Sequence, residues 1–172
     1  MIKPIDDWVT LDARGVRMPL YTRPCLEILD KMDFVGKNVF EYGVGHSSAW
    51  YKSRGANVFG VDSNSEWVNL FRQKAGTHVV HTRDKESYIS AIELFAREFD
   101  VVVIDGVFRD YCTEYALANL SKGGLLIIDN WKQPEVCEGW PVTEALFKEK
   151  ALNVEVYKEE AHGLWQTAMV RV

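Results

Sequence analysis

Phe40-Glu41-Tyr42-Gly43-Val44-Gly45-His46-Ser47-Ser48-Ala49-Trp50 decides how this chain folds. An apolar run over 38–42 ends in a turn with two glycines, and an amphipathic stretch follows at once. That is the passage from a β-strand through a tight turn into a helix. A helix is predicted over 49–54, with Gly55 closing it as a left-handed C-terminal residue. Gly43 and Gly45 have no Cβ, so a ligand can approach the backbone closely. A dinucleotide fingerprint needs a third glycine at position 48, where the pyrophosphate would rest on the helix N-terminus. Position 48 is Ser, so the turn predicts a nucleotide-like ligand without a pyrophosphate.

The pattern repeats outward from this turn. Asn57-Val58-Phe59-Gly60-Val61 reads as a second strand closing on Asp62, and His78-Val79-Val80-His81 as a third. Asp100-Val101-Val102-Val103-Ile104 and Leu125-Leu126-Ile127-Ile128 read as the fourth and fifth, closing on Asp105 and Asp129. Strands this continuously apolar are covered by helices on both faces, which predicts a parallel sheet built from βαβ units. Between them, Ser63 and Glu66 read as a capping box for a helix with Trp67, Leu70, Phe71 and Ala75 inward, stopped by Gly76. Asp84 reads as the N-cap of a helix carrying Tyr88, Ile89, Ile92, Phe95 and Ala96. A helix over 108–120 is expected to end at Gly123-Gly124. A loop over 131–139, a helix over 141–150 and strands over 153–158 and 164–172 complete the chain, with Ala161-His162-Gly163 in the final turn. The last strand alternates weakly, so it is expected to be a paired, antiparallel edge.

The fold class expected from this pattern is α/β, with a mostly parallel sheet covered by helices on both faces. At 172 residues the whole chain, 1–172, is expected to form one domain, with 1–22 as an N-terminal lid or extension that holds Trp8 and Tyr21 and leads directly into Arg23. Twenty basic against 25 acidic residues leave a net charge of −5, which argues against a broad nucleic-acid footprint or an anionic-membrane partner. Cys25, Cys112 and Cys137 are odd in number and widely spaced, which suits neither a disulfide framework nor a zinc site. A cytoplasmic setting is expected, because the N-terminus has no signal-peptide pattern and no apolar run reaches membrane-span length.

Ligands of an open parallel sheet bind beyond the carboxyl ends of its strands. Here those ends carry Glu41, Asp62, Asp105 and the Asp129-Asn130 pair. One such Asp is commonly just a helix cap; several in register point to a site. The motifs around Gly43 and Gly45, Val61-Asp62, Val103-Ile104-Asp105-Gly106 and 120–130 together resemble, in order, those of class I S-adenosylmethionine-dependent methyltransferases. The resemblance implies a Rossmann-like three-layer α/β/α sandwich with a mostly parallel seven-stranded sheet and an antiparallel last strand. It also implies Gly43 and Gly45 beneath the cofactor, Glu41 near its methionine end, and Asp62 with the adjacent Ser63 on the ribose. It implies Ser47 and Ser48 on the carboxylate or its waters, and Asp105 near the cofactor amine. Asp84 is implied near the adenine, as an alternative or an addition to its capping role. The same resemblance offers Asp105, Asp129 and Asn130 as oxygen ligands for Mg²⁺ or Ca²⁺, against a metal-free reading that is preferred. Where metal-dependent relatives place a lysine, this chain has Arg109, which is no base at ordinary pH and is expected to orient an anionic substrate or pair with Asp105. Asp105, Asp129 and Arg109 are the catalytic candidates; Asn130, Trp131, His162 and Tyr21 are the acceptor-site candidates. The activity implied is methyl transfer to a small molecule, at oxygen. The rivals are an NAD-dependent oxidoreductase, another transferase or lyase using the same cofactor, and a cofactor-binding partner subunit without chemistry.

Overall fold

The apolar run over 100–104 forms the middle of a seven-stranded sheet. The computed structural model describes residues 3–6, 9–75, 78–159 and 165–172. In chain order they form β1 (Lys3–Asp6), β2 (Val9–Leu11), α1 (Arg23–Leu29), β3 (Asn38–Tyr42), α2 (His46–Ser53), β4 (Asn57–Asp62), α3 (Ser65–Ala75) and β5 (His78–His81). Then come α4 (Lys85–Ile89), a 3-10 turn (Ala91–Phe95), β6 (Phe99–Ile104), α5 (Arg109–Asn119), β7 (Leu120–Ile128), α6 (Trp140–Glu149), β8 (Val154–Glu159) and β9 (Trp165–Arg171). The sheet order is β5-β4-β3-β6-β7-β9-β8, and β1 and β2 form a separate antiparallel pair. The strands from β3 to β7 pair in parallel, while β9 is antiparallel to both β7 and β8. This is the Rossmann-like sandwich expected, with its antiparallel last strand; that strand is not the edge, because β8 pairs with its outer side and takes the edge position.

Side chains alternate across a strand, and both faces of β6 are covered. Val102 and Ile104 join Phe40, Tyr42, Leu126 and Phe147 in one apolar cluster, while Val101 and Val103 join Val39, Trp50, Tyr51 and Ile127 in the other. Burial on both faces explains the continuous apolar sequence. From β3 the chain winds outward through β4 to β5 and then crosses back to β6 on the other side of β3. That reversal opens a crevice between the carboxyl ends of β3 and β6, the place where such sheets bind ligands. The register Val61↔Tyr42↔Ile104↔Ile128 puts the four strand tips side by side.

Local details depart from the sequence pattern. α2 starts at His46, three residues before its predicted start. Asn64, not Ser63, caps α3, its Oδ1 accepting from Glu66 N at 2.9 Å. The helix expected around residues 88–96 is α4 followed by the 3-10 turn, with Ala96 left-handed at φ 46°. Gly123-Gly124 do not stop α5, which ends at Asn119; β7 already begins at Leu120, opposite Phe99, and an irregularity in the pairing follows. α1, which has Pro24 in its first turn, and the β1–β2 pair were not expected from the pattern. Gly76, Trp8, His162 and the final turn lie outside the described residues. No helix among the described residues is long and apolar enough to cross a membrane.

Candidate functional site

A cavity of about 460 Å³ opens at the tips of β3, β4 and β6, a volume in the usual range for small-ligand sites. Its floor requires glycine. Gly43 has φ +91°, and a Cβ there would lie 2.7 Å from the Cα and N of Gly106. The two strand-end turns therefore touch, and the backbone amide of Gly43 donates to the Val61 carbonyl at 2.8 Å. Beneath the turn, the buried Ser48 hydroxyl donates to Glu41 Oε2 and accepts from Gly45 N at 3.1 Å. This is the physical reason for Ser at position 48: it ties the turn to the strand that delivers it. Glu41 is fully buried, and its Oε1 has no hydrogen-bond partner among the described residues. Burial pushes its carboxyl up to about 8, with the Ser48 and Ser47 hydroxyls pulling the other way.

Asp62 forms the second wall. Its Oδ2 accepts from Val44 N at 3.0 Å and its Oδ1 from Asn64 N at 2.7 Å. The Ser63 amide also acts on it; a carboxylate offers about four lone-pair positions, so capacity for a ligand remains. Burial raises its pKa, and the backbone donors oppose that rise. Asp105 lies across the cavity with its side chain 28% exposed. Gly45, His46, Ser47 and Ser63 also line the space, and among its described lining residues there is neither lysine nor arginine. Burial lowers the pKa of His46, as does nearby Arg17. The donor and charge set thus suits a cationic or neutral ligand and opposes a pyrophosphate.

No known family profile matches the sequence, and no curated protein matches it either. Solved structures do match in shape. An O-methyltransferase from Bacillus cereus, determined in complex with SAH, superposes with a TM-score of 0.68 at 17% identity, covering 86% of this chain and 79% of that one. The magnesium protoporphyrin IX methyltransferase of Synechocystis PCC 6803, with bound SAM, gives 0.62 at 12% identity, covering 86% and 74%. An rRNA methylase of Streptococcus thermophilus gives 0.57 at 10% identity, covering 81% and 88%. The chain has the class I methyltransferase fold.

Within this methyltransferase fold the remaining sequence candidates separate. Asp84 caps α4, its Oδ1 accepting from Ser87 N at 2.9 Å and Ser87 Oγ at 2.7 Å; it is exposed and does not line the cavity. The side chain of Asp129 is turned into the sheet. Its Oδ1 accepts from Thr167 Oγ1 at 2.8 Å and from Trp165 Nε1 at 3.2 Å, and burial raises its pKa. Trp131 does not border the cavity: it is 2% exposed, stacked on Phe147 and packed near Trp140. The indole is drawn into the core because Trp140 and Phe147 of α6 pack against it. Tyr21 is likewise buried, among the apolar residues beneath α1 and α2; it is Leu20, 39% exposed, that reaches the cavity from the N-terminal segment.

Arg109 pairs with Asp105 at 3.2 Å and fills the gap where a divalent ion would have to sit. Its Nη1 donates to the Asp129 carbonyl at 2.6 Å and to Asn130 Oδ1 at 3.0 Å. Two of the three suggested metal-binding residues are thus engaged by a cation already in the chain, and the third faces Thr167. Among the described residues no His, Cys, Asp and Glu group is placed to hold a metal ion. The Mg²⁺ or Ca²⁺ alternative is therefore not supported. Trp67 and Val107, also at the cavity, were not read as site residues. Helical spacing put Trp67 on the inward face of its helix, yet it is 37% exposed, stacked on Phe71 with the edge of His46 close by.

Proposed function

We propose that the chain binds S-adenosylmethionine in this cavity and transfers the methyl group to a small-molecule acceptor at oxygen. The cavity's charge carries the reading. Asp62 and Asp105 face a space with no lysine or arginine among its described lining residues, and the buried Glu41 behind it, raised to about 8, adds no positive charge. Such a set favours a ligand with a sulfonium and an ammonium, and it opposes NAD. Solved neighbours determined with SAH or SAM support the same cofactor.

When bound, the cofactor supplies the activated methyl group. The chain's task is to bind, align and deprotonate. The Gly43 turn lets the ligand lie against bare backbone. Asp62 is placed to accept both ribose hydroxyls, as charge-assisted hydrogen bonds, with Ser63 beside it and Ser47 toward the amino-acid portion. Asp105 faces the amine, and with a pKa raised by burial against the opposing Arg109 charge it is the carboxylate suited to take the proton of a hydroxyl acceptor. Asp129 already accepts hydrogen bonds inside the sheet, so it acts by shape rather than by proton transfer. Solved neighbours act on acceptors as different as rRNA and a protoporphyrin by their descriptions. The net charge of −5 favours the small molecule here, because RNA binding requires a clustered positive surface. Incubation with methyl-labelled cofactor and a panel of phenolic and aliphatic hydroxyl compounds, alongside total RNA, tests this. The expected outcome is label in a small-molecule product as a methyl ether. Label in RNA alone would refute the acceptor class, and transfer of any group other than methyl would refute the reaction.

A further inference from the structure

Arg109 is the first residue of α5, and its side chain folds back over the ends of two strands rather than outward. It is 7% exposed. Its Nε donates to the Gly106 carbonyl at 2.9 Å. Nη1 donates to the Asp129 carbonyl and Asn130 Oδ1, and Nη2 to the Asp105 carbonyl at 3.0 Å, with Asp105 Oδ1 at 3.2 Å. A guanidinium has five N–H donors in a fixed planar fork. Here the fork faces five oxygens, three of them backbone carbonyls from the tips of β6 and β7. Asn130 helps by adopting a left-handed conformation, φ 52°, as it turns the chain away from β7.

An ordinary surface salt bridge uses one or two donors and leaves the rest to water. A buried arginine with a protein acceptor for every donor is a fixed part of the site. We propose that the Arg109 guanidinium is the resident cation of this centre: a positioning residue that locks the β6 and β7 tips together and holds the Asp105 carboxylate ionised against the cavity, so that no divalent ion enters. Asp62 is the charged neighbour that raises Asp105, and Arg109 is the cation that opposes it there. Asp129, Glu41 and the buried phenols of Tyr21 and Tyr51 also lie within electrostatic reach of Asp105, each with its own pKa raised, so they face it in the protonated form. Lysine would keep the charge but could reach at most three of the five oxygens.

The test uses the free protein and no cofactor, so it stands or falls apart from the methyl-transfer reading. Carboxyl-carbon NMR titration follows Asp105 in the wild type, in Arg109→Lys and in Arg109→Gln. The midpoint is expected to rise by about one pH unit or more in Arg109→Gln, as removal of a close opposite charge requires, and by clearly less in Arg109→Lys. A role confined to packing would leave the midpoint unmoved in a folded variant, and that result overturns the proposal. In parallel, Mg²⁺ and Ca²⁺ are titrated into the wild type while the backbone amides of Gly106 and Asn130 are watched. No saturable shift is expected. A saturable shift there would overturn the proposal by itself, and this measurement decides the matter should Arg109→Gln fail to fold.

Discussion

Glu41 links the turn to the pH response of the whole protein. Its carboxyl titrates at about 8 when folded, against 4.5 as the ordinary value, so folding takes up a proton between those limits. Stability from this group is then fully present below about pH 4.5 and is lost as pH rises toward 8. Glu41→Gln keeps an oxygen for the Ser48 hydroxyl but cannot ionise. The melting temperature of the wild type should fall more than that of Glu41→Gln between about pH 5 and pH 8; parallel curves would contradict the assignment. Gly43 gives a second prediction. Alanine there meets both a left-handed φ of +91° and the Gly106 backbone at 2.7 Å. Gly43→Ala should cost more than about 1 kcal/mol in chemical denaturation and should weaken SAH binding, whereas Gly123→Ala, at φ +80° with open space around it, should affect stability only. Equal SAH affinity in both variants would count against Gly43 as the cavity floor. Residue type together with position at the strand ends made Gly43, Asp62 and Asp105 legible as candidates, and all three line the cavity. Residue type could not show that Arg109 is enclosed by strand-end carbonyls, because those acceptors belong to every residue type alike.

β6 shows what element-scale patterning conveys and what it hides. Its unbroken apolar run announced a strand covered on both faces, and Val101 through Ile104 are all buried. Ile104→Ala should therefore cost about 2–5 kcal/mol, while Leu94→Ala, at a side chain 70% exposed, should stay within about 0.5 kcal/mol. Urea titration of both variants measures the contrast, and similar costs would contradict the two-sided packing. The strand ends were also readable, since each run stops at a carboxylate. Boundaries set by competition were not. Gly123-Gly124 look like a helix stop, but backbone pairing between Leu120 and Phe99 captures the chain earlier. Trp131 and Trp67 show the same limit from opposite sides. Both are large aromatics in or near a site; α6 covers the first, and the second lies partly open beside the cavity.

At the scale of the molecule, the order β5-β4-β3-β6-β7-β9-β8 converts separate strand ends into one site. The sequence pattern predicted the five parallel strands and an antiparallel last strand; it missed the β1–β2 pair and put the last strand at the sheet edge, a place that β8 occupies. The crossing from β5 back to β6 that makes the crevice depends on which strands pair, a long-range matter beyond local pattern. With that topology in place, the charge of the cavity separates the cofactors. The most direct test is calorimetric titration of the wild type and Asp62→Asn with S-adenosylhomocysteine, with NAD as the control. The account predicts saturable binding of S-adenosylhomocysteine to the wild type, a loss of about tenfold or more in Asp62→Asn, and no binding of NAD. Absence of S-adenosylhomocysteine binding, or preference for NAD, would contradict it.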